Sequence, residues 1–252
     1  MALTLPSPDI SVVAEREDRI VGGVPAWTGD FPFIVAISDR GSQYCGGVLI
    51  NAYTVLTAAH CSIRMKEPWA LVRAGSLYWA SGGVEANVSE IYYHPEFNFE
   101  TTDNDIALWR LASPIHQSST IRYAPLPLKG WDPVVGSLVT AAGWGHLDGG
   151  DDSESSPMLR RVTVPVISRG TCRADYAAQN LTVTNNMWCA GLKQGGKDSC
   201  GGDSGGPIVD ALTKTLLGIV SWGTGCAEPN QPGVYVRISN YIDYIHQHKW
   251  TS

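Results

Sequence analysis

Short runs of strand length, each closed off by Gly, Asn, Asp or Pro, recur from Ile20 onward and limit what this 252-residue chain can fold into. "FPFIVAIS", "CGGVLIN", "TVLTAAH", "ALVRAG", "NVSEIYY" and "DIALWRL" fill the first half. "SLVTAAGW", "RRVTVPVI", "NMWCAG", "GPIVD", "TLLGIVSW" and "GVYVRIS" fill the second. They are rich in Val, Ile, Thr and aromatic residues, which suit a pleated, half-buried surface. With so little helical patterning between them, they predict an all-β sandwich or barrel architecture. They are too many for one small sandwich and divide into two sets. The Pro-rich, weakly patterned stretch 113–136 is the expected connection between the halves. One helix is expected, over 239–250, where Tyr241, Ile242 and Ile245 fall at helical spacing and Ser239 is placed to cap it.

The bulk composition narrows the function. Hydrophobic residues make up 44% of the chain, enough for a substantial core. The net charge of −6, with no Lys/Arg run of five or more, argues against a nucleic-acid partner. No apolar run is long enough to cross a bilayer, so no membrane partner is expected. The six cysteines are scattered, with no C-x-x-C pair and no His-x-x-x-His pair, so a metal site is not expected. They fit an oxidising compartment, although their spacing alone does not choose a pairing. The sequons at Asn87 and Asn180 are compatible with secretion. Residues 1–19, "MALTLPSPDISVVAEREDR", lack the continuous apolar stretch of a signal peptide and read as a pro-segment, with a disordered tail as the alternative. The acidic stretch 147–156 reads as a solvated loop.

The chemistry concentrates in "KDSCGGDSGGPIV", residues 197–209, where Ser204 is surrounded by glycines and preceded by Asp198 and Asp203. A serine hydroxyl is a poor nucleophile at neutral pH. It needs a base, a third group to orient that base, and donors aimed at the oxygen that becomes negative. Backbone N–H groups serve as such donors when no side chain blocks the approach, which glycine ensures. Of the six histidines, His60 in "LTAAHC" stands out, at the apolar end of an expected strand beside Cys61. Asp105 in "DNDIALWRL" opens a run of core residues and is the best orienting acid, with Asp103 as competitor. His94, in "YYHPEF", reads as structural, and His116, His146, His246 and His248 as surface residues.

These residues fall within motifs that resemble the trypsin-like branch of the chymotrypsin-fold serine proteases. "IVGG" at 20–23, "LTAAHC" at 56–61, "DNDIAL" at 103–108, "GDSGGP" at 202–207, "SWG" at 221–223 and "PGVY" at 232–235 follow the family's order. "GDFPFIVAIS", "GGKDSC" and the low cysteine count are most similar to fungal trypsins. The resemblance implies two antiparallel six-stranded β-barrels with the active site between them and a C-terminal helix. On this chain that means a pro-segment at 1–19 and a peptidase domain at 20–252. Within the domain, the N-terminal barrel falls at about 30–112, the linker at about 113–136 and the C-terminal barrel at about 137–236. It also implies a triad of His60, Asp105 and Ser204, with the N–H groups of Gly202 and Ser204 as the oxyanion hole. Disulfides Cys45–Cys61, Cys172–Cys189 and Cys200–Cys226 are implied in the same way, and no cofactor is.

By the same resemblance Asp198 is the floor of the pocket for the residue before the scissile bond and selects Arg or Lys. Gly223 and Gly233 line that pocket. The Ser221–Gly223 backbone, with Trp222 as a wall, would receive extended substrate as an added strand. Gly201 stands where the family often carries a longer polar residue, which leaves the pocket mouth without a lid. The loop 75–83 lacks the acidic ligands that hold calcium in vertebrate trypsins, so no calcium site is expected there. Cleavage after Arg19 would free the Ile20 amine to pair with Asp203. The expected protein is therefore a secreted, monomeric zymogen whose partners are protein or peptide substrates and proteinaceous inhibitors. Activity is expected to fall in acid, where a histidine base is protonated, and in alkali, where the Ile20 amine is neutral. One rival keeps the enzyme but moves its preference to aromatic or small residues, against which Asp198 speaks, and the other is a non-catalytic binding protein on the same fold. Such proteins usually lose a triad residue, and here all three remain.

Overall fold

The computed structural model describes residues 22–146 and 155–251. After a short β1 (Val24–Pro25) come β2 (Ile34–Asp39), β3 (Ser42–Leu49), β4 (Thr54–Thr57), β5 (Ala70–Ala74), β6 (Val84–Tyr93) and β7 (Ala107–Leu111). β2 to β7 close into an antiparallel barrel in the order β2-β3-β4-β7-β6-β5. The second set is β8 (Leu138–Gly143), β9 (Arg160–Ile167), β10 (Met187–Ala190), β11 (Pro207–Asp210), β12 (Leu216–Trp222) and β13 (Gly233–Arg237). Its order is β9-β10-β13-β12-β11-β8, and the pairing of β8 with β9 closes it, with β1 added alongside β9. Closure removes the unpaired strand edges that twelve short strands would otherwise expose. The architecture is the one the resemblance implied.

Alternation puts every second side chain inside, as in β5 and β9. The first barrel is filled by residues such as Val35, Ile37, Leu56, Leu108 and Trp109, and the indole N–H of Trp109 donates to Ser62 Oγ (2.8 Å). Val139, Val162, Val164, Ile208 and Tyr235 fill the second. The larger core does not stop at the first barrel. Val209, Leu216, Ile219 and Val236 of the second belong to it, so the two barrels share an apolar seam. The connection at 113–136 contains no helix or strand and straps the seam. Ala124 N donates to Leu49 O of the first barrel, and Pro125 O accepts from Leu216 N of the second (both 2.9 Å).

The helices depart from expectation. His60 is not at a strand end: β4 stops at Thr57 and His60 lies on a single helical turn, α1 (Ala59–Ser62). α2 (Arg169–Ala177) was not foreseen. Ser168 caps it by accepting from Thr171 N (3.0 Å), but only Cys172 and Tyr176 are buried, too weak a stripe to show in the sequence. The C-terminal helix is shorter than 239–250. A 3₁₀ turn at Ile238–Asn240 precedes α3 (Ile242–His248), and Ser239 is not its cap. Ser239 is buried, and its hydroxyl accepts from Arg237 Nε (3.1 Å) instead. α3 lies against the first barrel through an aromatic cluster. His94 packs on Tyr244, and His248 stacks on Tyr92 with ring centroids 4.7 Å apart in each pair. His94 is thus structural, whereas His248 is packed rather than a free surface residue. His116 and His246 are exposed.

Three disulfides join Cys45 to Cys61, Cys172 to Cys189 and Cys200 to Cys226. The second ties α2 to β10 across a 17-residue separation. Replacing Cys172 and Cys189 together by Ser should lower the unfolding free energy by about 3 kcal/mol, read from the urea midpoint.

Candidate active site

The site lies at the seam, and each barrel supplies part of it. Asp105 precedes β7 and is 1% exposed. One of its oxygens, Oδ1, accepts from the backbone N–H of His60 (2.9 Å). The other, Oδ2, faces His60 Nδ1 (2.8 Å) and accepts from Ser221 Oγ (2.6 Å). A carboxylate at Nδ1 places the proton there and leaves Nε2 as the basic nitrogen. The competitor Asp103 is used elsewhere, accepting from Thr184 Oγ1 (2.6 Å) and Asn186 Nδ2 (3.1 Å). The Cys45–Cys61 disulfide pins the turn that carries His60. Cys61 Sγ lies 3.7 Å from both His60 Nε2 and the Ser204 carbonyl oxygen, so the disulfide joins the histidine turn to the backbone of Ser204.

Ser204 follows a tight turn at Cys200–Asp203, closed by Asp203 N–H to Cys200 O (3.1 Å). Gly202 takes φ +89°, a left-handed conformation that favours glycine. Two peptides here are fixed by their carbonyls: Gly201 O accepts from His146 N (2.6 Å) and Asp203 O from Gly206 N (2.9 Å). In a trans peptide the N–H points opposite to the carbonyl. The N–H groups of Gly202 and Ser204 are therefore turned away from those two anchors.

Beside Ser204 opens a cavity of about 350 Å³ with Asp198, 3% exposed, among its lining residues. Asp198 Oδ1 accepts from Ser199 N (2.8 Å) and Oδ2 from Ala227 N (3.3 Å). Burial pushes its carboxyl up to about 7, against those two N–H donors that pull it down. A Cβ on Gly233 would lie 2.7 Å from Asp198 Oδ1 and 2.6 Å from the Tyr235 hydroxyl, so only glycine fits. At Gly223 the nearest atoms to such a Cβ would be Gly225 O and the Tyr176 hydroxyl at 3.7 and 3.9 Å, ordinary contact distances. Trp222, tilted against Tyr176 at 4.8 Å, forms one wall. His146, read from the sequence as a surface residue, also lines the cavity; its ring stands 3.4 Å from where a Cβ on Gly201 would sit.

Asp203 is 1% exposed and its carboxylate turns inward, accepting from Gly145 N (2.7 Å) and Cys200 N (3.0 Å). Burial raises its carboxyl to about 6. Arg19 and Ile20 lie outside the described residues, as does most of the acidic stretch 147–156. Among the described residues, one cluster has metal-type donors, Cys45, His60 and Cys61, and its two cysteines are bonded to each other. The loop at 75–83 is organised by the Arg73 guanidinium, which donates to Trp79 O (2.8 Å) and to Gly82 O and pairs with Glu85.

Sequence reasoning missed three contributors: the Ser221 hydroxyl on Asp105, the His146 ring at the cavity, and Gln43, whose Nε2 donates to Gly202 O (2.8 Å). Ser221 and His146 lie inside or beside quoted motifs and could have been found there. Gln43 carries no local signal.

Two closed barrels with a serine, a histidine and a buried aspartate gathered at their seam define a serine endopeptidase of the two-barrel class. Residues 20–245 match the family described as Trypsin. The chain is 44% identical over 231 residues to trypsin Blo t 3 of Blomia tropicalis, which covers 91% of this chain and 85% of the relative. It is 39% identical over 238 residues to a trypsin of Sus scrofa (92% and 96% covered) and 38% identical over 227 residues to a vitellin-degrading protease of Bombyx mori (90% and 84% covered). The chain belongs to the trypsin family. Its substrates are proteins or peptides.

The pocket carboxyl sets a pH dependence. Its raised pKa means that below about 7 the Asp198 carboxyl holds a proton that a cationic ligand must displace. Benzamidine affinity should be constant in mild alkali and weaken progressively as pH falls through 7, approaching tenfold per pH unit; calorimetric titration measures it.

Proposed function

We propose that this chain is a secreted endopeptidase that cuts after Arg or Lys and is made as a zymogen switched on by cleavage after Arg19. Asp198 carries the reading. It is a buried carboxylate beside the nucleophile, with two backbone donors and, among the described residues, no cationic partner. Burying such a group is costly unless a cation joins it, and a substrate Arg or Lys brings one on a long apolar stem.

In this reading Ser204 Oγ attacks the scissile carbonyl while His60 Nε2 accepts its proton and later passes it to the leaving amine. Asp105 holds the imidazole in the required tautomer and stabilises the imidazolium. The N–H groups of Gly202 and Ser204 stabilise the oxyanion. The backbone at Ser221–Gly223 receives the substrate as an extended strand, with Trp222 as its apolar wall. Asp203 is assigned to the new N-terminus. It is a second buried acid with N–H donors but no cationic side chain paired to it among the described residues, and the Ile20 amine would supply that charge. Residues 1–19 are the pro-segment and 20–252 the peptidase domain. Among the described residues no helix is long and apolar enough to cross a membrane. We assign the protein as a monomer open to proteinaceous inhibitors that present Arg or Lys. The relatives named above are animal proteins, so a nearer likeness to fungal trypsins rests on "GDFPFIVAIS", "GGKDSC" and the three disulfides alone.

Small esters with Arg, Lys, Phe or Ala at the cleaved position test the reading, before and after cleavage behind Arg19. The processed chain should hydrolyse the Arg and Lys esters about 100-fold or more faster than the others, and the intact chain should be nearly inactive. Equal rates on the Phe ester would refute the assignment of Asp198. Asp203→Asn should abolish turnover in the processed chain, and normal cutting by that variant would overturn the switch.

A further inference from the structure

The turn that carries the Gly202 donor has little within it to fix its central peptide. That peptide joins two glycines, Gly201 and Gly202, so no side chain flanks it. A half-turn of that peptide exchanges type II for type I geometry and requires the Gly202 φ, here +89°, to change sign. Glycine on both sides lowers the steric cost of that rotation. Rotation here would swing the Gly202 N–H out of the oxyanion hole and leave the rest of the cavity intact.

The contacts that resist it come from outside the turn. His146 N–H holds Gly201 O (2.6 Å). Gln43, near the start of β3 in the first barrel, sends Nε2 to Gly202 O (2.8 Å), and its Oε1 accepts from Ser155 Oγ (3.3 Å). Ser155 and His146 are themselves partnered in an antiparallel bridge. The carbonyls of two successive residues are thus held by two groups, and the second comes from the opposite barrel. The peptide after Gly202 is held at both edges, since its N–H, that of Asp203, donates to Cys200 O (3.1 Å). Held in this way, it fixes the relative orientation of the donors on either side of it.

We propose that Gln43 is a positioning residue for the oxyanion hole: its amide holds the Gly202 carbonyl and thereby keeps the Gly202 N–H aimed at the developing oxyanion. The proposal rests on the protease reading above.

The test uses the chain processed after Arg19, unaltered and as Gln43→Met and Gln43→Glu. Met keeps much of the side chain's length without a donor, and Glu places an acceptor opposite Gly202 O. Three readouts are compared: kcat and KM on an arginine ester, the affinity for benzamidine, and the affinity for a peptide arginine aldehyde, whose hemiacetal oxygen sits in the oxyanion hole. Both variants should lose about tenfold in kcat and in aldehyde affinity together, while KM and benzamidine affinity move less than about twofold. This is smaller than the loss on deleting an oxyanion donor outright, because the N–H remains and is only mispositioned. An unchanged kcat in folded variants overturns the proposal. So does a parallel loss in all three readouts, which would mark Gln43 as a general structural support. An unaltered processed chain that binds benzamidine but neither hydrolyses the ester nor binds the aldehyde overturns the protease reading itself, and this inference with it.

Discussion

A single buried carboxylate holds the functional centre together. Asp105 accepts from the His60 backbone, faces the His60 ring, and accepts from Ser221. The first two contacts lie within the first barrel, and the third reaches β12 of the second. The network therefore docks the barrels and sets the imidazole in the same act. A buried carboxylate is tolerable only when its lone pairs are satisfied, and here three donors from two barrels satisfy it. Shifting one barrel against the other would strand that charge, so the seam geometry and the histidine geometry are not independent.

Asp105 is one of three aspartates buried among the described residues; Asp198 and Asp203 are the others. Only Asp105 has a side-chain base beside it. The other two are held by backbone N–H groups, and their carboxyls are raised by burial. From about pH 4 up to about 7 for Asp198 and about 6 for Asp203, each therefore binds its proton more tightly in the folded chain than in the unfolded one. The sign follows: their contribution to stability falls as pH rises through that window. Such sites are poor structural choices for an empty protein and good ones for a cation that arrives later. In the function proposed here, one waits for a substrate side chain and the other for a newly made N-terminus.

Much of this could be read from the sequence because the constraints are local. Strand length and composition give the twelve barrel strands, and the glycines around Ser204 announce a backbone that must be approached closely. The elements that escaped were set by distant contacts. α2 is stabilised by a cap, a disulfide and two buried residues rather than by a periodic face. The C-terminal helix starts late because Ser239 is drawn into the protein by Arg237. His248 and His146 looked like surface histidines, since nothing in their own segments predicts the Tyr92 ring or the Gly201 turn that they meet. Gln43 lies 159 residues from the carbonyl it holds, beyond the reach of any motif.

The central claim is that Ser204 is a nucleophile activated by the Asp105-anchored His60. Its most direct test is mass spectrometry of the chain, cleaved in vitro behind Arg19, after exposure to an organofluorophosphate. The account predicts one stoichiometric adduct, on Ser204, and none when His60 is replaced by Ala. An adduct on any other residue, or equal labelling of Ser204 without His60, would contradict it.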